Sequence, residues 1–109
     1  MIFLKKILWI LLKAKIGVAT NFSPIGDAQN PDPHAACLHR DLRMTDLGVA
    51  HRTLPCKSKV WIYNIRTNRS VVAIVADRGP KRAEVDLAPA TTKALKANGK
   101  EAIIMVPLE

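Results

Sequence analysis

Aromatic residues are scarce: two tryptophans, one tyrosine and two phenylalanines make up 5% of the chain. A binder of single-stranded nucleic acid stacks bases on aromatics interleaved along a basic stripe. Only Trp61 and Tyr63 come close to that pattern, so a specific nucleic-acid partner is not expected. Cysteine is limited to Cys37 and Cys56, too few for a disulfide-dense scaffold. Taken with His34, His39 and His51, they match none of the common zinc spacings, so neither a metal nor another cofactor is expected. Two readings of the pair then stay open: a disulfide in an exported chain, or two reduced thiols in a cytosolic one. No apolar run approaches the roughly 20 residues that span a bilayer, and no fixed-period repeat is visible.

What remains is an ordinary globular composition. The 109 residues are 49% hydrophobic and 24% charged, which suits a single small domain. The net charge is +8, and half of it comes from Lys5, Lys6, Lys13 and Lys15, in a first segment without acids. A basic chain attracts anionic partners, and charge alone does not choose among peptidoglycan, nucleic acid and anionic lipid.

Residues 1–20 (MIFLKKILWILLKAKIGVAT) carry two competing patterns. Lys5 and Lys6, the apolar Ile7 to Leu12 and the small residues Gly17-Val18-Ala19 resemble an export signal. The four lysines also fall within one half of a helical wheel, which describes an amphipathic helix lying on a partner or touching a membrane surface through residues 1–16. Residues 21–36 hold Pro24, Pro31, Pro33 and Gly26 and read as a linker or arm.

Strand patterns begin at Lys59. Val60 to Ile65 is rich in β-branched and aromatic residues, and Ser70 to Ala76 is a continuous apolar run read as a strand covered on both faces. The polar Arg66 to Arg69 between them predicts a hairpin. Asp77-Arg78-Gly79-Pro80 predicts a turn. Glu84 to Leu87 is a short strand, with Glu84 and Asp86 on one face and Glu84 solvated. Pro89 opens a helix to about Asn98 with Ala94 and Leu95 facing inward, and Ala102 to Val106 is the last strand. Several short strands with one short helix predict a mainly β fold, a small barrel over 37–109.

Three segments resemble a known family. Gly48-Val49-Ala50-His51-Arg52-Thr53-Leu54-Pro55 is similar to its Ala-Ala-His-x-Thr-Leu-Pro stretch. Asn68 to Val72 with Ala76-Asp77-Arg78-Gly79-Pro80 is similar to its Asn-Asp-Arg-Gly-Pro region. Val85-Asp86-Leu87-Ala88-Pro89-Ala90 is similar to its Ile-Asp-Leu-Ser segment. All three occur in the family's order, over about Asp46 to Leu108. The family is the rare lipoprotein A (RlpA)-like group, related in fold to barwin-type proteins and expansins. The resemblance implies a six-stranded double-psi β-barrel that binds peptidoglycan glycan strands in the periplasm or cell envelope. It also implies, in active members, lytic transglycosylase (lyase) chemistry that leaves an anhydro sugar.

Such cleavage needs one acid that protonates the leaving oxygen and then serves as base. The resemblance points to Asp86 for that role, with His51 sharing or orienting the proton and Asp77 holding His51 or a sugar hydroxyl. Arg78, Thr53 and Trp61 are the expected substrate contacts. Each has a plainer reading: Asp86 as the cap of the next helix, His51 as a structural histidine, and Asp77 and Arg78 as turn-formers. The chain also departs from the family. Arg40 and Arg43 stand where active members carry acids, with Asp41 and Asp46 nearby, and Ala35-Ala36-Cys37-Leu38 replaces the aromatic-glycine opening. The alternative reading is therefore a non-catalytic glycan-binding module, or an envelope or virion component with the same barrel.

Overall fold

The structure, a computed structural model, describes residues 2–22 and 34–108. Most of the Pro-rich arm expected at 21–36 lies outside the described residues. Helix α1 (Ile2–Lys13) is followed by strands β1 (Lys15–Asn21), β2 (His34–Ala35), β3 (Arg40–Asp41), β4 (Gly48–Ala50), β5 (Lys59–Asn64), β6 (Arg69–Asp77) and β7 (Val85–Leu87). Helix α2 (Pro89–Ala94) and strand β8 (Glu101–Pro107) complete the order. Six strands close into a barrel in the order β1-β7-β4-β6-β5-β8, and β2 and β3 form a separate two-stranded arm. Two neighbouring pairs, β1–β7 and β4–β6, are parallel, and the other barrel pairs are antiparallel.

The predicted hairpin is present, with Asn64 opposite Arg69 and Lys59 opposite Ile74. Alternation along β5 sends Val60, Ile62 and Asn64 inward and Trp61 and Tyr63 outward. The run at β6 is not covered on both faces, because Val72 is 44% exposed on the outside of the barrel. Val49, Val60, Ile62, Val75, Val85, Leu87 and Ile103 fill the interior, and Leu95 joins them from beyond α2. Truncating one of them, Leu95→Ala for example, costs about 2–5 kcal/mol. Asn64 is buried but satisfied: its amide donates to the Leu95 carbonyl at 3.0 Å and its oxygen accepts from the Arg66 amide at 3.2 Å. Helix α2 is shorter than predicted. It ends at Ala94, which faces out, while Leu95 is buried as expected.

The larger correction concerns the start of the barrel. The sequence reading gave 1–20 to an export segment or surface helix and began the domain at 37. The structure splits that stretch. Helical periodicity stops at Lys13, and from Lys15 the period becomes two, with Gly17 and Ala19 inward and Ile16 and Val18 outward. The barrel's opening strand is thus Lys15–Asn21, not the segment at Ala35 to Leu38, which belongs to the arm packed outside β4 and β6. A cut after Ala19 would remove all of β1's pairing with β8.

Cys37 and Cys56 are joined as a disulfide, with Cα atoms 5.0 Å apart. Cys37 is buried at the barrel and its amide donates to the Ala76 carbonyl at 3.0 Å, so the bridge ties the arm to the loop before β5.

Candidate functional site

Register places four residues in one row. Thr20 of β1 pairs with Asp86 of β7, Asp86 pairs with Ala50 of β4, and Ala50 pairs with Asp77 of β6. Register partners on adjacent strands point to the same face, and the β4–β6 register shifts between Val49, opposite Val75, and Ala50, opposite Asp77. Val85 and Leu87 point into the core, so Asp86 and its row face outward. Ala50, buried, sits between the two acids in the register. Two strand spacings put the Asp77 and Asp86 Cα atoms roughly 10 Å apart.

Opposing effects act on the Asp86 carboxyl. Burial raises its pKa above the ordinary carboxylate range, and the charge of Asp77 adds to this. Thr20 Oγ1, donating to Asp86 Oδ1 at 2.9 Å, pulls in the other direction. The net shift is upward, so the carboxyl keeps its proton to higher pH than a free one, as a general acid must. Asp86 does not cap the next helix: Ala88 is the N-cap and no side chain bonds there.

The other predicted residues are placed differently. Asp77 Oδ1 accepts from the amides of Ala36 at 3.1 Å and Arg78 at 2.8 Å, so it organises its turn while facing the row. Gly79 follows at φ 111°, a conformation side chains avoid, before the cis peptide to Pro80. His51 follows Ala50, and its ring leaves the Asp86 face. Its Nδ1 accepts from the amides of Thr53 and Leu54, both at 3.1 Å, which leaves the remaining proton on Nε2. That Nε2 faces Glu84 Oε1 at 3.8 Å, and neither atom has a hydrogen-bond partner. Burial lowers the His51 pKa, with Glu84 opposing. Among the described residues no hydrogen bond or ion pair joins His51 to Asp86 or Asp77 through side chains. The expected role of sharing a proton with Asp86 is replaced by an anchoring one.

Arg78 is also occupied. Its guanidinium donates to the carbonyls of His51 at 3.2 Å and Leu54 at 2.6 Å and lies 3.2 Å from Cys56 Sγ, so it braces the 51–56 loop. Thr53 is exposed on that loop. Trp61 does not join the row. In a closed barrel of this order β5 lies three strands from β7 either way round, so Trp61 is on the opposite wall, stacked on Tyr63 with ring centroids 5.8 Å apart. It lines a groove with Ile10, Val106 and Leu108. The upstream acids do not substitute for those missing at Arg40 and Arg43. Asp46 is bound by both terminal nitrogens of Arg40, at 2.9 and 3.0 Å, and its pKa is lowered by that bond. Asp41 lies 4.0 Å from His34 on the arm.

Sequence reasoning missed Glu84. Read as a solvated strand residue, it turns inward before β7 begins and gathers Lys15, His51 and Arg52 within 4 Å, at 3.9, 3.8 and 3.9 Å. The signal was Gly17: a Cβ there would stand 2.7 Å from Glu84 Cβ.

No family model matches the sequence, and no curated protein does. Among solved structures the chain is similar to the Streptomyces papain inhibitor, at 17% identity and TM-score 0.62, over 89% of this chain and 96% of the inhibitor. It is similar to the apo expansin of Clavibacter michiganensis, at 20% identity and TM-score 0.64, over 88% of this chain and 50% of the expansin. A mutant of that expansin in complex with cellohexaose gives 18% identity and TM-score 0.65 over the same shares, 88% and 50%. The chain therefore spans about half the length of the expansin. At these identities the likeness concerns the fold.

Proposed function

We propose that this chain, a double-psi β-barrel of the barwin and expansin kind, binds a wall glycan across the outer face of β1, β7, β4 and β6, and that Asp86 is its acid. The observation that carries this reading is the Asp86 carboxyl, half-buried, raised in pKa and hydrogen-bonded to Thr20 on the outer side of its strand. Further support is the glycan, cellohexaose, in complex with the mutant expansin of like fold, and the three segments that resemble those of RlpA-like proteins.

The chemistry assigned to Asp86 is a lytic cleavage. Its protonated carboxyl gives the proton to the glycosidic oxygen as the bond to the sugar's anomeric carbon breaks. The resulting carboxylate takes the proton of that sugar's own hydroxymethyl group as its oxygen closes on the same carbon. No water is consumed, and Asp86 ends protonated. Asp77 stabilises the positive charge that develops on the sugar. Action on wall glycan places the chain outside the cytoplasm, and the Cys37–Cys56 disulfide suits such a compartment.

A binding module without cleavage is the second reading, favoured by Arg40 and Arg43 at the positions of the missing acids. Purified peptidoglycan strands incubated with the full chain separate the two. Anhydro-muramyl products that vanish in Asp86→Asn support cleavage. Retained glycan pull-down without products leaves the binding module. Absence of both pull-down and products overturns the glycan reading.

A further inference from the structure

Helix α1 rests on the barrel by its less apolar side. Trp9 donates its indole N–H to the Pro107 carbonyl, and Ile10 lies against Trp61, Val106 and Leu108. Lys6 flanks the same contact, and Lys13 sits over the Trp9 ring at 5.3 Å. At 100° per residue these positions leave Ile7, Leu11, Leu4 and Leu8 on an arc about 100° wide that faces away from the barrel. On that arc Leu4 is 61%, Leu8 57% and Leu11 72% accessible, with Ile7 at its edge 36%; Leu12 just beyond it is 78% and Ile10 on the barrel side 48%. A helix of a soluble domain turns such a stripe toward the core. Here the stripe points outward, and the outer face of β1 adds Ile16 at 79% and Val18 at 45%.

We infer that α1 is an interfacial helix that seats this barrel on an anionic lipid surface. Charge selects that occupant. Lys5, Lys6, Lys13 and Lys15 make this segment basic, with Lys6 and Lys13 on the barrel side of the helix, opposite the stripe, and the first acid in the sequence is Asp27. Apolar side chains entering the acyl boundary with lysines at headgroup level are the composition of a helix lying in the interface. No helix among the described residues is long and apolar enough to cross a membrane, so the contact lies along the surface. The inference does not need the glycan reading: the leucines of the stripe lie on α1, and the two readings meet only on β1, where Ile16 and Val18 precede Thr20.

Sedimentation of the full chain with vesicles tests it, using phosphatidylcholine alone and phosphatidylcholine mixed with phosphatidylglycerol. Binding to the anionic vesicles is expected. Leu8→Glu with Leu11→Glu should lower the partition coefficient at least about tenfold. Lys5→Gln with Lys6→Gln should lower it about tenfold on anionic vesicles and little on neutral ones. All four side chains are outside the core, so circular dichroism should report an unchanged barrel. No binding to anionic vesicles, or binding indifferent to the leucine substitutions, overturns the inference. So does a lipid-free dimer that the leucine variant dissociates, since a second copy would then be what covers the stripe.

Discussion

Thr20 and Asp86, 66 residues apart in sequence, are register partners on parallel strands, and the threonine hydroxyl donates to the carboxylate at 2.9 Å. The bond favours the charged form, against burial and against Asp77. Thr20→Val keeps the shape and removes that counterweight. Asp86 should then titrate higher still, and the alkaline limb of the pH–activity profile on glycan should move to higher pH. Carboxyl chemical shifts followed through a pH titration would read the same change without turnover.

Asp86→Asn should make the fold more stable at neutral pH while removing the lytic product. The folded pKa of Asp86 lies above its unfolded value, so the native state binds more protons between the two. Stability therefore falls as pH rises across that window and stays lower above it. A neutral amide escapes the loss. The melting temperatures of variant and parent should differ at pH 7 and converge below the unfolded carboxylate range. Equal melting temperatures at every pH would refute this view of Asp86.

Acid should act with the opposite sign at three other groups. His51 is lowered by burial, so the unfolded chain binds more protons there, and stability falls as pH drops through the histidine range. Glu101, only 4% exposed, is lowered chiefly by its bonds from Arg66. Asp46 is lowered chiefly by its bonds from Arg40. Their contributions are present above the unfolded carboxylate pKa and lost as pH falls through the folded ones. Urea unfolding against pH should show this second loss, and Glu101→Gln should flatten it.

Gly17→Ala should destabilise the barrel by about 1–3 kcal/mol, the usual cost of forcing atoms into a filled space. The new Cβ would stand 2.7 Å from Glu84 Cβ, a contact relieved only by a shift of the chain. Thermal unfolding of the two proteins gives the difference. The His51 ring resonances should move as well, because Glu84 is their neighbour across the gap.

Much of the fold was legible where apolar runs are bounded by turn chemistry. The β5–β6 hairpin, β7, α2 and β8 follow from Val60 to Ile65, Ser70 to Ala76, Val85 to Leu87, Pro89 and Ala102 to Val106. β4 is only Gly48–Ala50, too short to display a period, and β1 is masked because its lysine and exposed isoleucine continue the look of the helix before it. In the site, Asp86 and Asp77 were singled out by their motifs, and strand register, which the sequence does not display, is what puts them in one row. The place of His51 was not legible, because the direction of its ring is set by the amides of Thr53 and Leu54, a tertiary detail of the loop. Glu84 escaped because strict alternation was applied one residue before the strand begins, and Trp61 was assigned by its aromatic character rather than by strand order.

Ala14 alone separates α1 from β1, and its amide still bonds to the helix at Ile10. A joint that short has no slack. Whatever grips the helix grips, through one residue, the strand that carries Thr20. Ile16, Val18 and Thr20 share the outer face of β1, so the height of Asp86 above an anchoring plane is set by a few strand residues, roughly 13 Å from Ile16 to Thr20. A flexible Gly/Ser leash would let the barrel roam over a broad shell. On an anchored α1 this joint would instead act as a fixed stand-off, holding Asp86 at one level.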